Sequence, residues 1–293
     1  MWREFFRNKS FYLIIIILLQ PVVVGAGSFD RGILWEVYKS GQQNNYLLGT
    51  IHSDHPSILD LPVEVEKALN RSTSFTAELD LNLSSMLQAQ MQLFLPEGKS
   101  LKQIVGPRLY AKSVSLMRSY GVPEMLVDRM KPWAIAAQLN LPKSKSGIFL
   151  DLKLHQIAQQ KGLTTYGLET VAEQMSVFDK LSEHKQKIML KQAIEDYPSL
   201  PGKIAKLIRY YLNRDLRGLY IYSQSEMKRA DPAISAILQN KLVNERNHRM
   251  VNRMLPRLKK GKAFIAVGVL HLPGENGILQ LLEDRGYQLR SVY

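Results

Sequence analysis

The chain has 293 residues, 45% hydrophobic and 22% charged, a balance that supplies a packed core and excludes a disordered chain. Cysteine is missing, which excludes disulfides, thiolate metal sites, a cysteine nucleophile and a lipobox. A formal charge of +13 suits nucleic acid, an anionic membrane surface or acidic substrates; with no zinc-finger, RNP or helix-turn-helix pattern beside it, nucleic acid is set aside.

At the N-terminus Arg3, Arg7 and Lys9 precede an apolar run from Phe11 to Leu19, continued by Val22 to Val24 and closed by Gly25 and Ala26. This is the layout of a secretory signal peptide over residues 1–26, with one domain over 27–293, exported to the periplasm or secreted. Pro21 stops the run short of the roughly 20 apolar residues that a membrane span needs. An uncleaved N-terminal anchor is the alternative.

The spacing predicts a hairpin of strands over residues 33–39 and 45–51, joined by a turn over 41–45. Asp60 and Pro62 predict a helix start, with Asp60 as its cap. Residues 74–81 alternate as a strand, with Phe75, Ala77, Leu79 and Leu81 on one face and Glu78 on the other. Residues 84–140 and 171–255 carry helical patterns. A strand over 162–169 ends on Glu169, and residues 264–269 form another. A helix over 277–283 and a closing strand over 287–293 complete the chain. The expected fold is therefore α/β, with a single core sheet built from N-terminal, middle and C-terminal strands and two large helical insertions.

Two Gly-x-x-His motifs, one near each end, carry the chemistry. Gly49-Thr50-Ile51-His52 follows the apolar Tyr46-Leu47-Leu48, and Gly268-Val269-Leu270-His271 follows Phe264-Ile265-Ala266-Val267. The glycines are expected to permit a sharp exit from the strand. Ligands of open α/β sheets bind beyond the C-terminal strand ends. There His52, Glu78, Glu169 and His271 are candidates to meet. Two histidines and a carboxylate suit a divalent metal that acidifies water, with a second carboxylate to take the proton. The other reading is two loop histidines with structural hydrogen bonds.

These motifs, with Ala77-Glu78-Leu79-Asp80, Lys131-Pro132-Trp133, Gly167-Leu168-Glu169-Thr170, Glu173-Gln174, Arg246-Asn247 and the run on to Gly274, resemble the TraB/GumN family over nearly the whole of residues 27–293. That family is similar to the Tiki membrane metalloproteases and, more distantly, to erythromycin esterase and ChaN-type proteins. The resemblance implies a metal-dependent hydrolase, a metallopeptidase using manganese or cobalt ions, with zinc as an alternative, and a peptide or protein as substrate. It places the family's histidines on His52 and His271 and its acid on Glu78, the metal set, and puts Glu169, Glu173, Arg246 and Asn247 at family motif positions. The catalytic candidates are Glu78, with Glu169 as the reserve base and Arg246 to orient Glu78 or anchor a substrate carboxylate. The competing readings are a non-catalytic protein that sequesters a peptide or glycan, and an ester hydrolase of the erythromycin-esterase kind.

The remaining polar residues are expected in quieter places. His55 reads as an exposed loop residue, and His155, His184 and His248 as surface residues of helices. Asp151 reads as a helix cap and Trp133 as core. Arg246, Arg249, Arg253, Arg257 and Lys260 recur at helical spacing; Arg246 is open between site and scaffold, and the others read as a solvated basic stripe that Pro256 ends or kinks. Asn247 falls among the apolar positions of that helix, so it requires a buried partner. The basic surface also admits peripheral association with an anionic membrane.

Overall fold

The computed structural model describes residues 29–144, 146–229 and 232–293. The expected signal peptide lies outside the described residues. Among these, no helix is long and apolar enough to cross a membrane.

Six strands form one sheet: β1 (Leu34–Tyr38), β2 (Asn45–Thr50), β3 (Ser74–Leu79), β4 (Thr164–Glu169), β5 (Ala263–Gly268) and β6 (Gln288–Ser291). Their order across the sheet is β4-β3-β5-β2-β1-β6. β4, β3, β5 and β2 run parallel; β1 is antiparallel to both β2 and β6. The sheet thus draws on the N-terminal, middle and C-terminal segments. β5, last of the four parallel strands in sequence, lies between β3 and β2 and pairs with both. β2 and β5 are covered on both faces, which is why their sequences are nearly unbroken apolar runs.

The core around the sheet is built on Trp35, Phe75, Phe264 and their aliphatic neighbours, with the Phe75 and Phe264 rings stacked at 6.1 Å. Each such side chain contributes about 1.5–3 kcal/mol through burial. The two helical insertions fold a second apolar cluster of their own, centred on Leu101, Met117, Trp133, Ile135 and Leu190. Trp133 belongs to this core: its ring stacks on Phe178 and its Nε1 donates to Asp179.

Three local expectations change. The helix Val63–Asn70 starts after Pro62, and Asp60 instead ends the short turn Pro56–Leu59. Asp151 lies in the first turn of the helix Leu150–Gln160 and does not cap it; its carboxylate accepts from Thr50 Oγ1 at 2.6 Å. The helix Glu245–Lys260 continues beyond Pro256 and does not end there. Met250, Met254 and Leu258 hold that stretch against the sheet, so tertiary packing overrides the proline.

The same helix corrects the reading of the basic stripe. Arg246 is buried, Arg249 and Arg257 are half-buried, and Arg253 and Lys260 stay exposed; the arginines run beside β4. Arg249 bonds Glu169, Arg253 bonds Glu173 and the Leu168 carbonyl, and Arg257 lies 3.7 Å over the Tyr166 ring. β4 is an edge strand, and the helix covers it with cations where the strand supplies the Glu169 carboxylate, the Leu168 carbonyl and the Tyr166 ring, and the helix after it supplies Glu173.

Candidate active site

Because four strands run parallel, their C-terminal ends share one edge of the sheet. Glu169, Glu78, His271 and His52 follow one another along it in strand order, β4, β3, β5, β2. Neighbouring strands are about 4.8 Å apart. The first three residues meet; His52 does not join them.

Arg246 is the hub. It is buried, and its guanidinium bridges Glu78 Oε2 at 2.5 Å and Glu169 Oε2 at 2.7 Å. Burial works against its charge, but the two carboxylates outweigh this and keep it protonated. The Gln174 side-chain amide lies between the same two acids, 3.2 Å from Glu78 and 3.4 Å from Glu169. Glu169, whose side chain has no exposed surface, also accepts twice from Arg249. Both its oxygens are engaged by cations and an amide, so it is anchored. Expected among the acid-base groups, it sits here as the counter-ion that fixes two arginines.

Glu78 is less saturated. Its Oε2 takes Arg246 and Gln174, and its Oε1 accepts the Gly268 backbone N–H at 2.7 Å. A carboxylate has about four lone-pair directions, so one on Oε1 stays open. Burial would push the Glu78 pKa up; the Arg246 charge, then His271 and the Gly268 N–H, outweigh it and hold it at about 2. It is therefore charged and a weak proton acceptor at neutral pH.

His271 faces that open position, with Nε2 3.7 Å from Glu78 Oε1. Its tautomer follows from Asn247, which is fully buried. The Asn247 amide nitrogen donates to the Asn276 and His271 carbonyls, which only an NH2 can do. Its Oδ1 must then accept from His271 Nδ1, 2.6 Å away. Nε2 consequently carries the lone pair. Burial drives the His271 pKa down to about 4, so the ring is neutral at physiological pH. Two lone pairs thus face each other across a gap too long for a direct hydrogen bond. A divalent cation fits this pair: a neutral imidazole whose other nitrogen is tied to an oriented acceptor is the usual form of a histidine ligand.

His52 is different. Its side chain is 52% exposed, its ring stacks on Phe149 at 4.0 Å, and its Nδ1 lies 3.6 Å from Asp151. Among the described residues no group of three or more His, Asp or Glu side chains is arranged to hold a metal. The expected triad of His52, Glu78 and His271 is therefore assembled only as the Glu78–His271 pair, with His52 at the neighbouring strand end.

The two motif glycines serve close approach. Neither has a positive φ. A Cβ on Gly49 would lie 2.8 Å from Leu272 and 2.9 Å from Val269, so the first motif makes room for the second. A Cβ on Gly268 would lie 3.1 Å from Glu78 Oε1 and 3.5 Å from the His271 ring.

Of the other histidines, His55 is exposed and accepts from Ser57 N at the start of the Pro56–Leu59 turn, while His184 and His248 are exposed. His155, expected at the surface, is buried beside Phe75 with Nε2 3.4 Å from Asp80. Glu173 forms a reciprocal capping box with Thr170 and pairs with Arg253. Gln174 and Arg249 are site residues for which sequence reading gave no role. The available signal was Arg249 one helical turn beyond Arg246.

A model of the TraB/PrgY/gumN family matches residues 33–291. The chain belongs to that family. It is similar to metalloprotease TIKI2 of Xenopus tropicalis, 25% identical over 318 residues that cover 89% of this chain and 60% of that protein. Human metalloprotease TIKI1 is 24% identical, covering 89% of this chain and 62% of its own. YbaP of Escherichia coli K12 is 23% identical over 252 residues, covering 83% and 89%. The chain thus spans about three-fifths of the length of these Tiki relatives. The family match and the names of these relatives give the chain a distant metallopeptidase-like kinship.

Proposed function

We propose that this protein is an exported metal-dependent hydrolase that cleaves peptides or proteins. The observation that carries the reading is the Glu78–His271 pair, with a neutral, Asn247-oriented imidazole lone pair and an open carboxylate lone pair turned to the same point. Tiki relatives named metalloproteases support the divalent metal and the peptide substrate. Manganese or cobalt is the ion proposed, with zinc as the alternative.

His271 Nε2 and Glu78 Oε1 would hold the ion, and His52 would complete the set after its ring leaves Phe149. The ion supplies Lewis-acid polarisation and a low pKa for water. The protein's own groups do the rest. Glu78, with its depressed pKa, serves as a ligand; Arg246 and Gln174 fix its carboxylate plane. Glu169 is a positioning residue that holds Arg246 and Arg249. Asn247 fixes the His271 tautomer, which a rotated ring would lose.

The test is elemental analysis of protein purified without chelator, followed by turnover of a diverse peptide library. Bound manganese or cobalt, with cleavage lost in EDTA and restored by the ion, is expected. A metal-free protein that gains no affinity on titration overturns the metal reading. Metal binding without cleavage of any peptide leads instead to the sequestering protein. Export rests on residues 1–26; N-terminal sequencing that finds Met1 intact on cytoplasmic protein ends it.

A further inference from the structure

A cavity of about 370 Å³ opens beside the site. Its near wall is Arg249, whose guanidinium ends on Glu169. Another wall is the helix Val171–Asp179, which also carries Gln174. The cavity is thus joined to Glu78 through a chain of ion pairs, Arg249 to Glu169, Glu169 to Arg246 and Arg246 to Glu78.

The lining is unbalanced in charge. It holds Lys180, Lys185, Lys241 and Arg249 against Glu173 and Glu245. Both acids are taken: Glu173 by Arg253, and Glu245 by Lys241. Arg249 is matched by Glu169. Among the described residues, Lys180 and Lys185 have no carboxylate partner within 4 Å, whereas Lys241 of the same lining does. The floor is apolar, from Val177, Leu181 and Ile237, and suits the stem of a side chain. A pocket with an apolar floor and two uncompensated ammonium groups selects a carboxylate on a short aliphatic stem. The chain's charge of +13 favours encounter with such a substrate.

We propose that this cavity is a specificity subsite that seats a carboxylate of the peptide near the scissile bond, through Lys180 and Lys185. The substrates are therefore acidic peptides. The inference rests on the peptide-hydrolase reading for its substrate and on the cavity alone for its charge preference.

The experiment measures equilibrium binding, so it does not depend on turnover. Fluorescein-labelled peptides that differ only in Glu against Gln at one position, each with a free or an amidated C-terminus, are titrated against the full protein and against K180Q/K185Q. Thermal unfolding checks that both proteins are equally folded. The wild type is expected to bind the acidic peptides about five- to tenfold more tightly at low salt, and less so at high salt, as for partly exposed ion pairs. The double variant is expected to lose this margin while binding the Gln peptides unchanged. A margin of Glu over Gln assigns the carboxylate to a side chain; a margin of free over amidated Gln peptide assigns it to the chain end, and either supports the subsite. Neither margin in the wild type, or a margin retained in K180Q/K185Q, overturns it. If acidic binding follows the lysines but no peptide is cleaved, the hydrolase reading fails and the subsite stands.

Discussion

The two Gly-x-x-His segments are alike in sequence and unlike in state. Each leaves the C-terminal end of a parallel strand, β2 for the first and β5 for the second. His271 ends in a buried niche, with one nitrogen committed to Asn247 and the other turned to Glu78. His52 ends half in solvent, on Phe149 and near Asp151. The motif fixes where a histidine leaves the sheet. What the imidazole becomes is decided by the element that covers the exit: the arginine-rich helix Glu245–Lys260 over β5, and the start of the helix Leu150–Gln160 over β2. One motif thus ends in a preformed buried pair, and the other in an exposed histidine at the neighbouring strand end.

The largest expected effect strikes the preformed pair. Arg246→Met leaves Glu78 and Glu169 together without their shared cation, and is expected to cost about 3–5 kcal/mol in urea unfolding, as breaking a buried ion pair does. His52→Ala should change the same measurement by less than about 0.5 kcal/mol. Equal losses would erase the distinction between the two segments.

Asn247→Ala tests the orientation of His271. With its tautomer and ring angle released, manganese affinity in titration calorimetry is expected to fall about 10- to 100-fold. Asp151→Ala, beside the exposed His52, should cost less. The reverse order would make His52 the organised ligand.

The glycines sharpen the comparison further. Gly49→Ala drives a methyl group against Val269 and Leu272 and is expected to destabilise by about 1–3 kcal/mol. Gly268→Ala meets the Glu78 carboxylate oxygen at 3.1 Å and the His271 ring at 3.5 Å, and should weaken metal binding more than it lowers the unfolding midpoint.

The comparison also has a pH dependence. Burial lowers His271 to about 4, against 6.5 for a free histidine. Between these values the unfolded chain binds a proton that the folded chain does not, so stability of the chelated protein falls as pH drops from about 6.5 to about 4. Glu78, held at about 2 against an ordinary 4.5, adds a second loss as pH falls through that lower window. His271→Gln should remove the first loss and keep the second. An unchanged upper window would show that His271 is not buried neutral.

By itself the sequence determined the strands, because apolar runs and alternation report burial directly: the hairpin, β3 with Glu78 on its polar face, β4 ending on Glu169, and β5. It determined the family, through motifs spread along the chain. It also required a buried partner for Asn247, since an amide on an apolar helix face cannot go unpaired. Only the tertiary structure decided which candidates meet. Strand order put β5 beside β3 and so joined His271 to Glu78, and no local signal carries that order. It turned the arginine stripe from solvent to the β4 edge, buried His155, and carried a helix through Pro256, because packing energy from distant segments exceeds local preference. It saturated Glu169 and left Glu78 one open lone pair, since charge pairing depends on the approach of Arg246 and Arg249 from a helix some eighty residues on.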